Sequence, residues 1–164
     1  MAETIGRIAS RVLGLLLLAG LLHGCGTTHP PPGASAHDLT DDQRRLAVVR
    51  TATAMIGKPY RYGGMRPDQG FDCSGLVHFS HNQAGIRVPR TAAQQLLWSK
   101  NIGYEELQPG DLLFFRITDK PSHVTIYLGD GEFVHAPSSG GRVRTENLAT
   151  PYWRNRLFGA GSYF

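Results

Sequence analysis

Hydrophobicity changes its period three times along the chain. An apolar run from Val12 to Leu22 gives way to a proline-rich polar stretch over 26–40. From Asp42 to Ile56 the positions Leu46, Val49, Ala52, Thr53 and Ile56 recur at helical spacing, until Gly57 and Pro59 stop the pattern. That spacing predicts an amphipathic helix. Leu76, Val77, Phe79, Ser80 and Ala84 predict a second helix starting at Cys73 and closed by Gly85. A short third helix, over about 92–97, follows Pro89-Arg90-Thr91. The rest of the chain changes to strand character at 111–115, 123–128, 132–136 and 157–163, with turn residues between. Helices first and strands afterwards predict an α+β domain, its N-terminal helices packed on a central antiparallel sheet.

The first apolar run is too short to span a bilayer, and with Arg7 and Arg11 ahead of it the run suits the core of a signal peptide over 1–24. It ends in Leu22-His23-Gly24-Cys25, which resembles a bacterial lipobox with His23 as an unusual occupant. Cys25 is therefore the expected site of lipidation and the expected mature N-terminus. Ordinary cleavage nearby would instead leave Cys25 as a thiol, free or bonded to Cys73. A disulfide needs both Cα atoms fixed within about 7 Å, which a tail residue does not offer. Residue 26 is Gly rather than Asp, so the inner-membrane retention signal of enteric lipoproteins is missing and resemblance points to the outer membrane. Residues 25–40 read as a lipidated cysteine and flexible tether, with His29 and His37 as solvated linker positions, and 41–164 as one domain.

Composition narrows the function. The chain has 164 residues, 41% hydrophobic and 18% charged, enough for one cored domain. Its net charge of +4 comes from scattered basic residues, which argues against a nucleic-acid binder. A monomer is expected.

Beyond the leader the only cysteine is Cys73, in Gly-Phe-Asp-Cys-Ser-Gly-Leu-Val over 70–77. At a helix N-terminus its sulfur meets unpaired backbone N–H groups, which predicts a lowered thiol pKa. Ser74 and Gly75 keep its approach open. The alternative is a buried structural cysteine, and two downstream histidines weigh against it. They lie in Ser-His-Val-Thr-Ile-Tyr-Leu-Gly-Asp-Gly-Glu-Phe-Val-His-Ala over 122–136. A two-residue turn at Asp130-Gly131 would pair Ile126 with His135 and put the histidines on opposite faces. A three-residue loop, Gly129-Asp130-Gly131, pairs Thr125 with His135 instead. Val124, Ile126, Leu128, Val134 and Ala136 then form one apolar face, and His123 and His135 share the other as diagonal neighbours about 7–8 Å apart. The apolar pattern requires this second register, and the histidine face is expected to meet the helix of Cys73. Cys73 as nucleophile, His123 as general base and acid, and His135 as the group orienting His123 then form a Cys-His-His triad.

The chain resembles the NlpC family of cell-wall cysteine peptidases in five linked motifs: Tyr60 to Gly64, Asp72 to Gly75, Pro109 to Phe115, Ser122 to Gly129, and Phe133 to His135. The resemblance runs from about residue 45 to the C-terminus. It implies a circularly rearranged papain-like core and hydrolysis of peptidoglycan stem peptides, next to D-glutamate or meso-diaminopimelate. Short outer-membrane lipoproteins of the family point first to cross-link cleavage. It also implies that Tyr60 lies beside Cys73 and helps bind the oxyanion, with the Cys73 N–H as a second donor. Tyr60 is otherwise a packing aromatic.

Further residues keep two readings. Asp72 suits capping better than orienting the site. Ser74 and Arg90 are candidates for substrate contact, Arg90 equally for pairing with a neighbouring acid. His78 and His81 share a helix face but lack a third zinc ligand, so no metal or other cofactor is expected. Trp98, Tyr152 and Trp153 line a groove or pack the core. A related thiol amidase or acyltransferase would use the same triad on another substrate. A non-catalytic wall-binding lipoprotein would be expected to lose one of the three residues, and all are present.

Overall fold

The computed structural model describes residues 39–138 and 141–164. The expected signal peptide, Cys25 and all but the last two tether positions lie outside the described residues. Among the described residues no helix is long and apolar enough to cross a membrane.

The first helix, α1 (Asp41–Thr53), opens on a capping box in which Gln43 N–H donates to Thr40 Oγ1 and Thr40 N–H donates to Gln43 Oε1. Its buried stripe runs through Val48 and Ala52, while Leu46 and Ile56 are about half exposed at 49% and 48%. The helix also stops three residues before the sequence spacing predicts. Thr53 donates its hydroxyl back to Val49 O at 2.8 Å, and tight turns then lead to Gly57 at a φ of 86°. A small hairpin, β1 (Met65–Arg66) with β2 (Gly70–Phe71), leads into α2 (Cys73–Gln83). Gly85, at a φ of 77°, follows that helix as expected. Next comes α3 (Ala92–Trp98), capped by Thr91.

Six strands follow: β3 (Lys100–Ile102), β4 (Leu112–Arg116), β5 (Pro121–Gly129), β6 (Glu132–His135), β7 (Arg144–Asn147) and β8 (Leu157–Ser162). A short helix, α4 (Pro151–Arg154), separates the last two. They form one antiparallel sheet in the order β3-β8-β4-β5-β6-β7. Alternate residues divide its faces. Leu112, Phe114, Val124, Ile126, Val134 and Ala136 pack with Val48, Ala52, Leu76 and Val77 of the long helices. Leu113, Phe115, Phe133 and Ala160 pack on the other side with Trp153 of α4.

The β5–β6 hairpin has the register the apolar pattern demands, Ile126 opposite Val134 and Tyr127 opposite Phe133, but its tip is built differently. Gly129 pairs with Glu132 across a two-residue turn, Asp130-Gly131, whose φ values of 51° and 78° are those of a primed turn. Leu128 is the extra residue, a bulge that shifts the register by one between Tyr127 and Gly129. A tight turn and the histidine-matching register therefore coexist, which the simple count of loop residues does not allow.

Candidate active site

Cys73 opens α2, and the chain before it explains how the thiol is presented. Asp72 is the N-cap: Gly75 N–H donates to its Oδ1 at 2.6 Å and Gly63 N–H to its Oδ2 at 2.9 Å. This one carboxylate ties the loop of 60–64 to the helix start. The approach is so close that a Cβ on Gly75 would collide with the Gly64 carbonyl oxygen. The N–H groups of Cys73 and Ser74 are left facing the sulfur, and a third donor comes from the sheet, the N–H of Val124.

Strand pairing explains why Val124 is free to donate. Tyr127 N–H bonds Asp111 O, so odd residues of β5 spend their backbone groups on β4 and even ones face β6. Since β6 ends at His135, the N–H of Val124 has no strand partner and takes the thiol instead. Cys73 thus meets the sheet at Val124, the residue after His123.

The imidazoles are on the other side of the sheet from the body of α2. This corrects the expectation that their face meets that helix. They share the aromatic face: His123 stacks on Trp153 at a centroid distance of 5.8 Å, and His135 meets Trp153 edge-on at 5.0 Å. The reason is alternation. Val124 faces the helices, so its neighbour His123 must face away, one residue before the N–H that meets the thiol. His123 Nε2 and His135 Nδ1 are 2.8 Å apart, both rings buried. That contact commits Nε2 of His123 and leaves Nδ1 as the nitrogen that can serve a thiol. For Nδ1 to be basic, Nε2 must carry the proton and donate to His135.

The NlpC/P60 family profile matches residues 57–162, which include all three of these side chains. The chain belongs to the NlpC/P60 family. Among its relatives, a probable endopeptidase of Escherichia coli, YafL, is 37% identical over 129 residues, covering 76% of this chain and 50% of that protein. The Escherichia coli murein DD-endopeptidase MepH is 37% identical over 132 residues, covering 77% of this chain and 49% of its own length. The bifunctional muramidase/DL-endopeptidase CwlT of Bacillus subtilis is 41% identical over 117 residues, 70% of this chain and 35% of that one. The chain thus spans half or less of the length of these relatives. Of solved structures, a lipoprotein-like NLP/P60 family protein from Staphylococcus aureus superposes with a TM-score of 0.68 at 36% identity, covering 76% of this chain and 43% of that chain. The NlpC/p60 domain of the peptidoglycan hydrolase SagA gives 0.62 at 33% identity, covering 72% of this chain and 97% of that one. The fold is the papain-like α+β fold of the NlpC/P60 family.

Within this NlpC/P60 domain the resting thiol is not the thiolate expected from its helix position. Burial pushes the Cys73 pKa up, and the nearby Asp72 carboxylate adds to it, against the pull of the three backbone donors; the net shift is upward. Burial also lowers His123 to about 4, and lowers His135 to about 3 with the His123 and Arg144 charges acting the same way. At neutral pH the thiol and both imidazoles therefore rest neutral. Alkylation of Cys73 by iodoacetamide should accordingly be no faster at pH 6 than that of a free cysteine peptide, and should climb through pH 8–9. A plateau already reached by pH 6 would show a preformed thiolate.

Tyr60 lies in the hollow of Cys73, together with Asp72, Ser74 and Arg90. Burial first, then the charges of Cys73 and Asp72, raise its phenol, which stays a proton donor. Arg90 is paired with a neighbouring acid, donating to Asp72 at 3.0 and 2.6 Å and to Ser74 Oγ at 3.0 Å. Ser74 Oγ in turn donates to Asp72 Oδ1 at 3.2 Å, so Asp72, Ser74 and Arg90 form one network beneath the nucleophile. His78 and His81 turn to backbone carbonyls, of Val88 at 2.7 Å and Val77 at 3.0 Å. Among the described residues no group of three His, Cys, Asp or Glu suits a metal. Trp98 is exposed, whereas Trp153 is the aromatic plate behind both histidines.

Proposed function

We propose that this protein is a cysteine endopeptidase that hydrolyses amide bonds in peptidoglycan stem peptides or their cross-links. It is held at the outer membrane, facing the periplasm, by a lipid on Cys25. The observation that carries the reading is a helix-start thiol that meets the N–H of Val124, the residue after His123, together with the His123–His135 imidazole pair at 2.8 Å, in a chain whose relatives are named murein DD-endopeptidase and DL-endopeptidase. The lipobox-like run before Cys25 supports the anchor, and the tether would raise the effective concentration of enzyme at the wall.

The chemistry follows from the resting state. His123 Nδ1 takes the Cys73 proton as Sγ attacks the carbonyl carbon, and Cys73 N–H with the Tyr60 hydroxyl stabilises the oxyanion. His123 then gives its proton to the departing amine as the C–N bond breaks, leaving a thioester. Water, losing a proton to His123, adds to that thioester, and the Cys73 thiol is regenerated. His135 accepts from His123 Nε2 throughout and fixes the reactive tautomer. Its role matches that of the third group in other triads, without a carboxylate's charge.

The test is mass spectrometry of purified cross-linked and uncross-linked muropeptides incubated with the protein and with Cys73→Ala. Fragments released by the wild type alone would identify the bond. Equal fragments from both would remove the thiol from the chemistry, and no fragments from either would move the substrate to another amide or ester.

A further inference from the structure

The two halves of a scissile amide leave the thiol in different directions. Cys73 keeps the acyl half, in the hollow shared with Tyr60 and Arg90, whereas His123 must touch the departing amine to protonate it. Whatever that amine carries therefore lies against His123. There the structure has a second recess of about 340 Å³, lined by His123, His135, Arg144, Glu146, Tyr152 and Trp153 among others.

The strand register builds its charged wall. Arg144 stands directly across from His135, and Glu146 across from Phe133, so both share the histidine face of the sheet. Arg144 Nε donates to Glu146 Oε1 at 2.8 Å. Only this one N–H of the guanidinium is spent among the described residues, and its two terminal nitrogens keep a fork suited to a carboxylate. The Arg144 side chain is half exposed, so a ligand can reach it. Tyr152 and Trp153 add aromatic surface to the same recess.

We propose that this recess is the leaving-group subsite, and that Arg144 binds a free carboxylate on the amino acid whose amine departs. The inference rests on the endopeptidase reading for the direction in which the amine leaves. The ligand class is an amino acid bearing both the departing nitrogen and an ionised carboxylate, such as the diamino acid of a cross-linked stem. On bond breakage the nitrogen gains a proton and the product becomes a zwitterion, which suits a wall made of one guanidinium and one carboxylate. A leaving group with its carboxylate amidated loses the Arg144 fork and is a poorer substrate.

The experiment reads binding to the full chain by the nitrogen-15 indole signals, assigned with Trp98→Phe. Trp98 lies outside the recess and Trp153 lines it, so one signal reports and the other serves as control. Free meso-diaminopimelate is expected to shift Trp153 saturably and leave Trp98 in place. Its diamide and 1,5-diaminopentane should need at least about tenfold higher concentration, one lost charge-assisted contact. Arg144→Gln should abolish this preference, and Arg144→Lys should restore part of it. Equal responses to all three probes, no shift at Trp153, or an unchanged preference in Arg144→Gln would overturn the proposal. Muropeptide cleavage is scored separately: cleavage without this binding sinks the subsite alone, and binding without cleavage sinks the endopeptidase reading and with it the leaving-group role, leaving a carboxylate site at Arg144.

Discussion

Replacing His123 by alanine is expected to lower kcat on a cleavable muropeptide by about 10³- to 10⁴-fold, the upper range for losing a positioned acid–base group. The loss should be this large because no preformed thiolate stands in reserve: burial raises the Cys73 pKa, so the proton must be removed during attack. In the proposed mechanism His123 takes that proton through Nδ1, its Nε2 being committed to His135 at 2.8 Å. The pH profile carries a second signature. A base whose pKa is lowered to about 4 stays unprotonated well below the ordinary imidazole value of 6.5. The acid limb of kcat/KM should therefore lie near pH 4, with the rate falling about tenfold per unit below it, and circular dichroism can check that the fold persists there. An acid limb at pH 6–7 would mean that substrate-free burial does not govern the working base. His135→Ala should cost less than His123→Ala, since His135 fixes a tautomer and transfers no proton, and His135→Asn should retain more activity by keeping an acceptor for His123 Nε2.

Much of this site was legible because its placement follows from alternation. Given that Val124, Ile126, Val134 and Ala136 must face one core, His123 and His135 have to share the opposite face, and no side-chain detail is needed to say so. Which core each face meets is a different matter. That depends on α4 and Trp153, and Pro-Tyr-Trp-Arg is too short a segment for a helical period to show. The bulge at Leu128 was hidden for a related reason: an inserted residue keeps the apolar pattern intact while changing the loop count. Strands β3 and β7, Lys-Asn-Ile and Arg-Thr-Glu-Asn, pair at the two edges of the sheet, where side chains need not be apolar, so their sequences carry no alternation. Arg144 and Glu146 were missed with them. The helix start at Cys73 was readable from Asp72 as a cap and from the apolar spacing that follows, but the sign of the thiol shift was not. Helix-end donors are local and visible in sequence, whereas desolvation comes from segments far along the chain.

Asp72 offers the largest expected effect on stability, and its two replacements separate the helix cap from the charge. Its carboxylate caps α2 through Gly75 N–H, holds the loop through Gly63 N–H, and meets Arg90 twice. Asp72→Ala removes the cap and leaves the guanidinium without its counter-charge. Breaking a buried pair on one side costs about 3–5 kcal/mol, and because the Arg90 side chain is 30% exposed the value belongs at the lower end, about 3 kcal/mol. For a domain of this size that is a fall in Tm of roughly 10 °C. Asp72→Asn keeps a capping oxygen, so it should be milder by about 1 kcal/mol. The pH dependence has a definite sign. Burial works to raise the Asp72 carboxyl, yet the Arg90 hydrogen bond and charge and the Gly75 and Gly63 N–H groups outweigh it, and the folded pKa lies below its ordinary value. The stability that the ionised form contributes is thus fully present above the unfolded pKa of about 3.9 and is lost as pH falls through the folded value. Urea unfolding at pH 7 should separate wild type from Asp72→Asn, and the gap should close on acidification below pH 4. A gap that is the same at pH 7 and pH 3 would mean that shape and packing, rather than the charge, are what Asp72 supplies to the start of the catalytic helix.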